Sequence, residues 1–193
     1  CEVYVAPRSR FDREHGIDNE YSHLILLCKN DVGYRNLCYL VSRGFTDGFY
    51  IKPRIDWALL HEHAEGLICL SGCLAGYLSR HIVADDYEGA KKKALELRGL
   101  FGEDFFLEIQ DHGIPDERKA ALGLRRLSRE TGIPLVVTND AHYINKEDAR
   151  NQDVLLCIQT GKTVDDPDRM KFSSPELYLK SEEEMRALFP EEP

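Results

Sequence analysis

The stretch "TNDAHY" places Asp140 and His142 two residues apart at the end of the aliphatic run "IPLVV". On extended backbone such residues share a face, so a carboxylate and an imidazole would stand side by side. That pair suits Zn, Mn or Fe, or a base with the group that orients it. Equally, Asp140 could cap the next turn and leave His142 solvated. Cys73 follows a second aliphatic segment in "LICLSGCLAG", while Glu2 opens "CEVYV" and His23 opens "HLILL". Taken singly, Glu2 and His23 would be ordinary surface residues. Cys73 and Glu2 at further strand ends weigh toward a metal cluster.

Other candidates have weaker patterns. His112 in "QDHGIP" shares strand parity with Gln110 and Glu108, and could touch a substrate, support a ligand or hold the turn. Lys52 and Arg54 lie in "GFYIKPRID", read as a loop beside Tyr50. They could grip a phosphate, Arg54 through its planar fork, or form a solvated charged loop. His61 and His63 sit two apart at the end of an expected helix and therefore on different faces, so both are expected at the surface. His15 and His81 are expected to be exposed. The sequence contains no Walker loop, GxGxxG turn, GxSxG elbow or HExxH helix.

These residues need elements to position them. The middle of the chain repeats a strand, a turn and a helix. "EGLICLSGCLAG" reads as a strand entering a helix, and "YEGAKKKALELRGLFG" as a helix closed by glycine. "EDFFLEIQDHGIP" is the next strand. "DERKAALGLRRLSRETGIP" is a helix with Leu122, Leu124 and Leu127 toward the core, and "PLVVTNDAHY" is a third strand. Alternation of this kind predicts parallel βα units with chemistry at the C-terminal strand ends. Cys73, His112 and the Asp140–His142 pair fall at three such ends. The first segment differs: about twenty charged residues separate "CEVYVA" from "HLILLCKN", which suits a hairpin or irregular loop. "DVGYRNLCYLVSRGF" reads as a helix with Leu37, Leu40 and Val41 on one face.

Composition bounds the function. The chain has 193 residues and a formal charge of −9, which argues against a principal nucleic-acid-binding surface here without excluding a local basic pocket. No apolar run is long enough for a membrane span. Six cysteines without a CxxC pair read as reduced thiols of a cytosolic protein, mostly buried, with Cys73 the exception.

The segments "CEVYVA", "SHLILLCKNDVGYRNL", "GFYIKPRID", "EGLICLSGCLAG", "LEIQDHGIP", "GIPLVVTNDAHYINKEDA" and "DVLLCIQTGKT" together resemble the polymerase-and-histidinol-phosphatase (PHP) domains of bacterial replicative DNA polymerases, the polymerase III alpha subunits. The resemblance runs in order along nearly the whole chain. It implies an α/β fold, part of a PHP-type distorted (β/α)7 TIM-like barrel, with the site at strand C-terminal ends. It further implies up to three divalent transition metals, Zn or Mn, with Glu2, His23, Cys73, Asp140 and His142 matching five family ligands. The family's other four ligands, beginning with an HxH, are expected upstream of Cys1. Lys52, Arg54 and His112 are the catalytic candidates. Residues 1–158 are expected to form the PHP domain and 159–193 a connection toward the polymerase palm. The implied setting is cytoplasmic DNA replication, with DNA, deoxynucleotides, a proofreading nuclease and a sliding clamp as partners and no membrane. Two roles follow from the resemblance: a metal-dependent phosphoesterase of 3′–5′ exonuclease type, or a catalytically silent structural and docking module.

Overall fold

The chain is described by a computed structural model over residues 1–191. Its strands are β1 (Glu2–Val5), β2 (Ser22–Cys28), β3 (Phe49–Tyr50), β4 (Lys52–Ile55), β5 (Leu67–Leu70), β6 (Phe105–Ile109) and β7 (Leu135–Val137). Its helices are α1 (Asp31–Thr46), α2 (Trp57–Glu62), α3 (Tyr77–Val83), α4 (Tyr87–Phe101), α5 (Pro115–Thr131), α6 (Ala149–Thr160) and α7 (Glu182–Leu188). The strands form one sheet in the order β3-β4-β1-β2-β5-β6-β7. β1 runs parallel to β4, β2 antiparallel to both β1 and β5, and β5 parallel to β6. This is a mixed α/β fold consistent with part of a PHP-type barrel. Two compact units divide the chain: Cys1–Ile109 with Lys119–Val136, and Gln110–Arg118 with the chain from Val137 onward.

Alternation sets the sheet. Val3 and Val5 of β1, with Leu24 and Leu26 of β2, are buried on one face. Tyr4 lies opposite His23 across the antiparallel pair, so Glu2, Tyr4 and His23 share the other face. Helices α4 and α5 add Ala90, Ala94, Leu97, Ala120, Leu124 and Leu127 to the core. Side-chain caps start α1, α2 and α4, where Asn30 accepts from Gly33 N, Asp56 from Leu59 N and Asp86 from Gly89 N. Gly102 and Gly132 take positive φ at the ends of α4 and α5, as the Gly stops predicted.

Several expectations are corrected. Leu122 is 67% exposed, because residues 122 and 124 stand about 200° apart on a helix and cannot share a face. "GFYIKPRID" is a β-hairpin, β3–β4, turning at Ile51 with φ 66°, and not a loop. The third strand ends at Val137; Asp140 has φ 44°, so the backbone between Asp140 and His142 is not extended. Among the cysteines only Cys69 and Cys157 are buried, whereas Cys1, Cys28 and Cys38 are exposed at strand ends and on the outer side of α1. His81 is half-buried instead of exposed.

Candidate metal centre

Three of the expected ligands converge in the first unit. His23 enters at the start of β2, and Glu2, diagonally across the β1–β2 pair, brings Oε2 to 3.0 Å from His23 Nδ1. Cys73 arrives from the turn after β5, with Sγ 3.6 Å from the same nitrogen. One ligand atom from each of the three lies within 4.8 Å of the others.

The turn carrying Cys73 is held tightly. His23 N donates to Ala75 O at 3.1 Å and Gly76 N to Cys73 O at 2.9 Å. Gly72 sits at φ 83°, and a Cβ there would come within 2.9 Å of His23 O, so only glycine permits this approach. Buried Glu108 of β6 accepts from Gly72 N at 2.9 Å, while its own N–H donates to Ser71 Oγ at 2.9 Å. Glu108 thus positions the Cys73 turn. Its signal in the sequence was a carboxylate inside the apolar strand "FFLEI", read only as sharing parity with His112.

The electrostatics suit a cation. Burial disfavours the charged form of His23, but Cys73 and Glu2 outweigh it and push the imidazole up to about 9. Ligands held 2.0–2.3 Å from a tetrahedral ion lie about 3.3–3.8 Å apart. The 3.6 Å spacing falls inside that range and the 3.0 Å spacing just short of it, and carboxylate, imidazole and thiol are a donor set for Zn and similar metals. The residues therefore fit a metal. His23 is about one-fifth exposed and Glu2 about one-third, so the cluster is open on one side to a further ligand.

Asp140 and His142 belong to the second unit and form a pair of their own, Asp140 Oδ1 lying 3.5 Å from His142 Nε2. The pair is set by its surroundings and not by strand parity. His142 N donates to Leu177 O at 2.8 Å, and its ring packs 4.6 Å from Phe172. The Asn139 amide donates to Tyr178 O, and Lys180 Nζ donates to Asn139 Oδ1 at 3.1 Å. The segment 176–180 thus straps the loop, a role invisible in the sequence because its partners lie nearly forty residues away.

The catalytic candidates fare differently. Arg54, expected to offer its fork to a phosphate, is fully buried. It donates to the carbonyls of Gly48, Asp18 and Asp12, and stacks over Tyr50. The charge is enclosed because the β1–β2 loop folds over it and supplies acceptors. Lys52 remains half-buried with Nζ 5.6 Å from the Tyr4 ring, whose centroid lies 5.2 Å from that of His23. His112 is buried between Glu117 and Asn139. His61 is exposed as expected, whereas His63, expected at the surface, is half-buried and packs on Tyr39 at 4.4 Å.

Comparison with known sequences adds two findings. The PHP domain family profile matches residues 1–112. The chain is 54% identical to the DNA polymerase III subunit alpha of Treponema pallidum over all of its own length and 17% of that protein's. It is 49% identical to the Thermus aquaticus protein of the same name and 45% identical to that of Borreliella burgdorferi, covering 98% and 97% of this chain and 16% of each relative. The chain spans about one sixth of the length of these relatives. No helix among the described residues is long and apolar enough to cross a membrane.

Proposed function

We propose that this chain, which belongs to the PHP domain family, is the metal-dependent phosphoesterase segment, of 3′–5′ exonuclease type, of a bacterial replicative DNA polymerase. The observation that carries the proposal is the convergence of Glu2, His23 and Cys73 on one open-sided cluster. These three would hold a divalent transition metal, Zn or Mn, and Asp140 and His142 are proposed as further metal ligands, for up to three ions in all. Bound metal would supply Lewis acidity toward a phosphate oxygen.

The chain's own residues do the rest. Glu108 fixes the turn that presents the Cys73 thiol, and the β1–β2 register fixes Glu2 against His23. Lys52, across Tyr4 from His23, is the available cation for a substrate phosphate. Arg54 holds the loop closed. His112 holds Asn139, the neighbour of Asp140, in place. In this reading residues 1–158 form the PHP domain and 159–193 lead toward the palm. The whole protein would be a cytoplasmic DNA-directed DNA polymerase acting on DNA and deoxynucleotides, with a proofreading nuclease and a sliding clamp as partners.

One observation favours the second reading, a structural and docking module: the arginine best suited to grip phosphate is sealed in the fold. Cleavage of a 5′-labelled oligonucleotide by the complete parent protein separates the two. Removing even an outer partner of a metal ligand costs roughly 10–100-fold, so Cys73→Ser and His23→Gln should each slow 3′ trimming at least about tenfold while primer extension persists. Trimming that both variants leave unchanged would refute the phosphoesterase reading. Bound metal with no trimming in the unaltered protein would establish the structural one.

A further inference from the structure

A cavity of about 320 Å³ opens in the first unit where the chain leaves β1 and where α2 and α3 begin. β1, β4 and β5 run parallel in the sheet, so this is their C-terminal edge, where open α/β sheets bind ligands. Its lining includes Tyr21, Trp57, Tyr77 and His81, with Arg80 and Glu20 as charged groups. The volume lies within the range of small-molecule sites.

The aromatic groups are braced before any ligand arrives. His81 stacks on Tyr77 with centroids 4.2 Å apart and is held by Asp86 at 2.6 Å. Lys93 Nζ stands 4.2 Å from the Trp57 ring centroid, and Trp57 meets Tyr77 edge-on at 6.4 Å. Tyr21 joins the cavity to the metal cluster: its ring lies parallel to that of His23, 3° between planes and 5.8 Å between centroids. Preorganised aromatic faces beside a phosphoester site suit a flat, conjugated ring. Base–aromatic stacking tolerates any nucleobase, and an exposed arginine adds attraction for a flanking phosphate.

We propose that this cavity is a nucleobase-stacking subsite in which Tyr21, Trp57 and Tyr77 seat the base of a nucleotide whose phosphate lies toward the metal cluster. Glu20 adds an acceptor for an exocyclic amino group. The proposal rests on the phosphoesterase reading for its substrate but not for its binding.

Trp57 is the only tryptophan of the sequence, so its fluorescence reports on the cavity directly. The chain is titrated in EDTA with dAMP, dTMP, deoxyribose 5-phosphate and inorganic phosphate. The two nucleotides should quench saturably and the two base-free probes should not. Tyr77→Ala and Tyr21→Leu should each weaken dAMP about fivefold or more, while Tyr77→Phe retains it. Absence of saturable quenching by dAMP, or equal quenching by deoxyribose 5-phosphate, would overturn the subsite. Because the titration excludes metal, quenching without any 3′ trimming in the parent protein would remove the phosphoesterase reading alone. Trimming without quenching would remove the subsite alone.

Discussion

Both ring nitrogens of His112 face acceptors: Glu117 Oε1 lies 2.6 Å from Nδ1, and Asn139 O lies 2.7 Å from Nε2. A carbonyl can only accept, so Nε2 carries a proton, and the carboxylate favours a second on Nδ1. Burial opposes that charge, but Glu117 and Asn139 outweigh it and raise the pKa. With both nitrogens engaged by protein groups, the geometry supports a positioning role for this ring. His112→Ala would leave buried Glu117 with only the backbone N–H of residue 112 as a partner, so it should cost about 2 kcal/mol in urea unfolding. Adding Glu117→Gln should recover part of that loss, and strict additivity would contradict the pairing. Arg54→Ala should cost about 3 kcal/mol or more, because several carbonyls lose their donor at once; a variant as stable as the parent would mean that Arg54 is not structural. Neither role could be read from sequence. "IKPRID" marks a charge, but the acceptors at residues 12 and 18 that help enclose it come from a turn about forty residues earlier. Cys73, by contrast, stood out after an aliphatic strand, while Glu2 and His23 gained weight only through the family resemblance; those three do meet.

Two glycines test how the elements pack. A Cβ on Gly33 in α1 would lie 1.8 Å from the carbonyl oxygen of Gly66, in the turn entering β5. Gly33→Ala should therefore destabilise by about 2 kcal/mol or more through overpacking. A Cβ on Gly99, exposed in α4, meets nothing within 4 Å, so Gly99→Ala should stabilise by about 0.5–1 kcal/mol. Thermal melts giving both variants the same sign would contradict this packing. Helices α4 and α5 are also joined by charge. Glu130 accepts from Lys91 and Arg126, which hold its carboxyl down at about 2, below its ordinary 4.5. A carboxyl lowered on folding stabilises above its unfolded value and loses that contribution as pH falls from about 4.5 through 2. The stability gap between the parent and Glu130→Gln should therefore close over that window and stay constant above it; a gap unchanged down to pH 2 would sink the bridge. Elements with strong period, such as α1, α4 and the β1–β2 pair, were legible because their burial follows their own sequence. The Asp140–His142 loop was not. Its left-handed turn and its strap from 176–180 are tertiary decisions that override an extended reading of "TNDAHY".

At the scale of the molecule, the chain spans about one sixth of its curated relatives, so polymerase activity would be a property of the larger protein. This chain supplies a sheet whose β1–β2 register and β5 turn bring a carboxylate, an imidazole and a thiol together. The claim that these three form a metal centre is tested most directly by titrating the chain with Co²⁺ and recording its near-ultraviolet spectrum. A thiolate bound to Co²⁺ gives a sulfur-to-metal charge-transfer band, whereas carboxylate and imidazole alone do not. The band should grow to saturation in the unaltered chain, vanish in Cys73→Ser and weaken in His23→Gln. Co²⁺ binding without the band, or with a band that survives Cys73→Ser, would contradict the assignment.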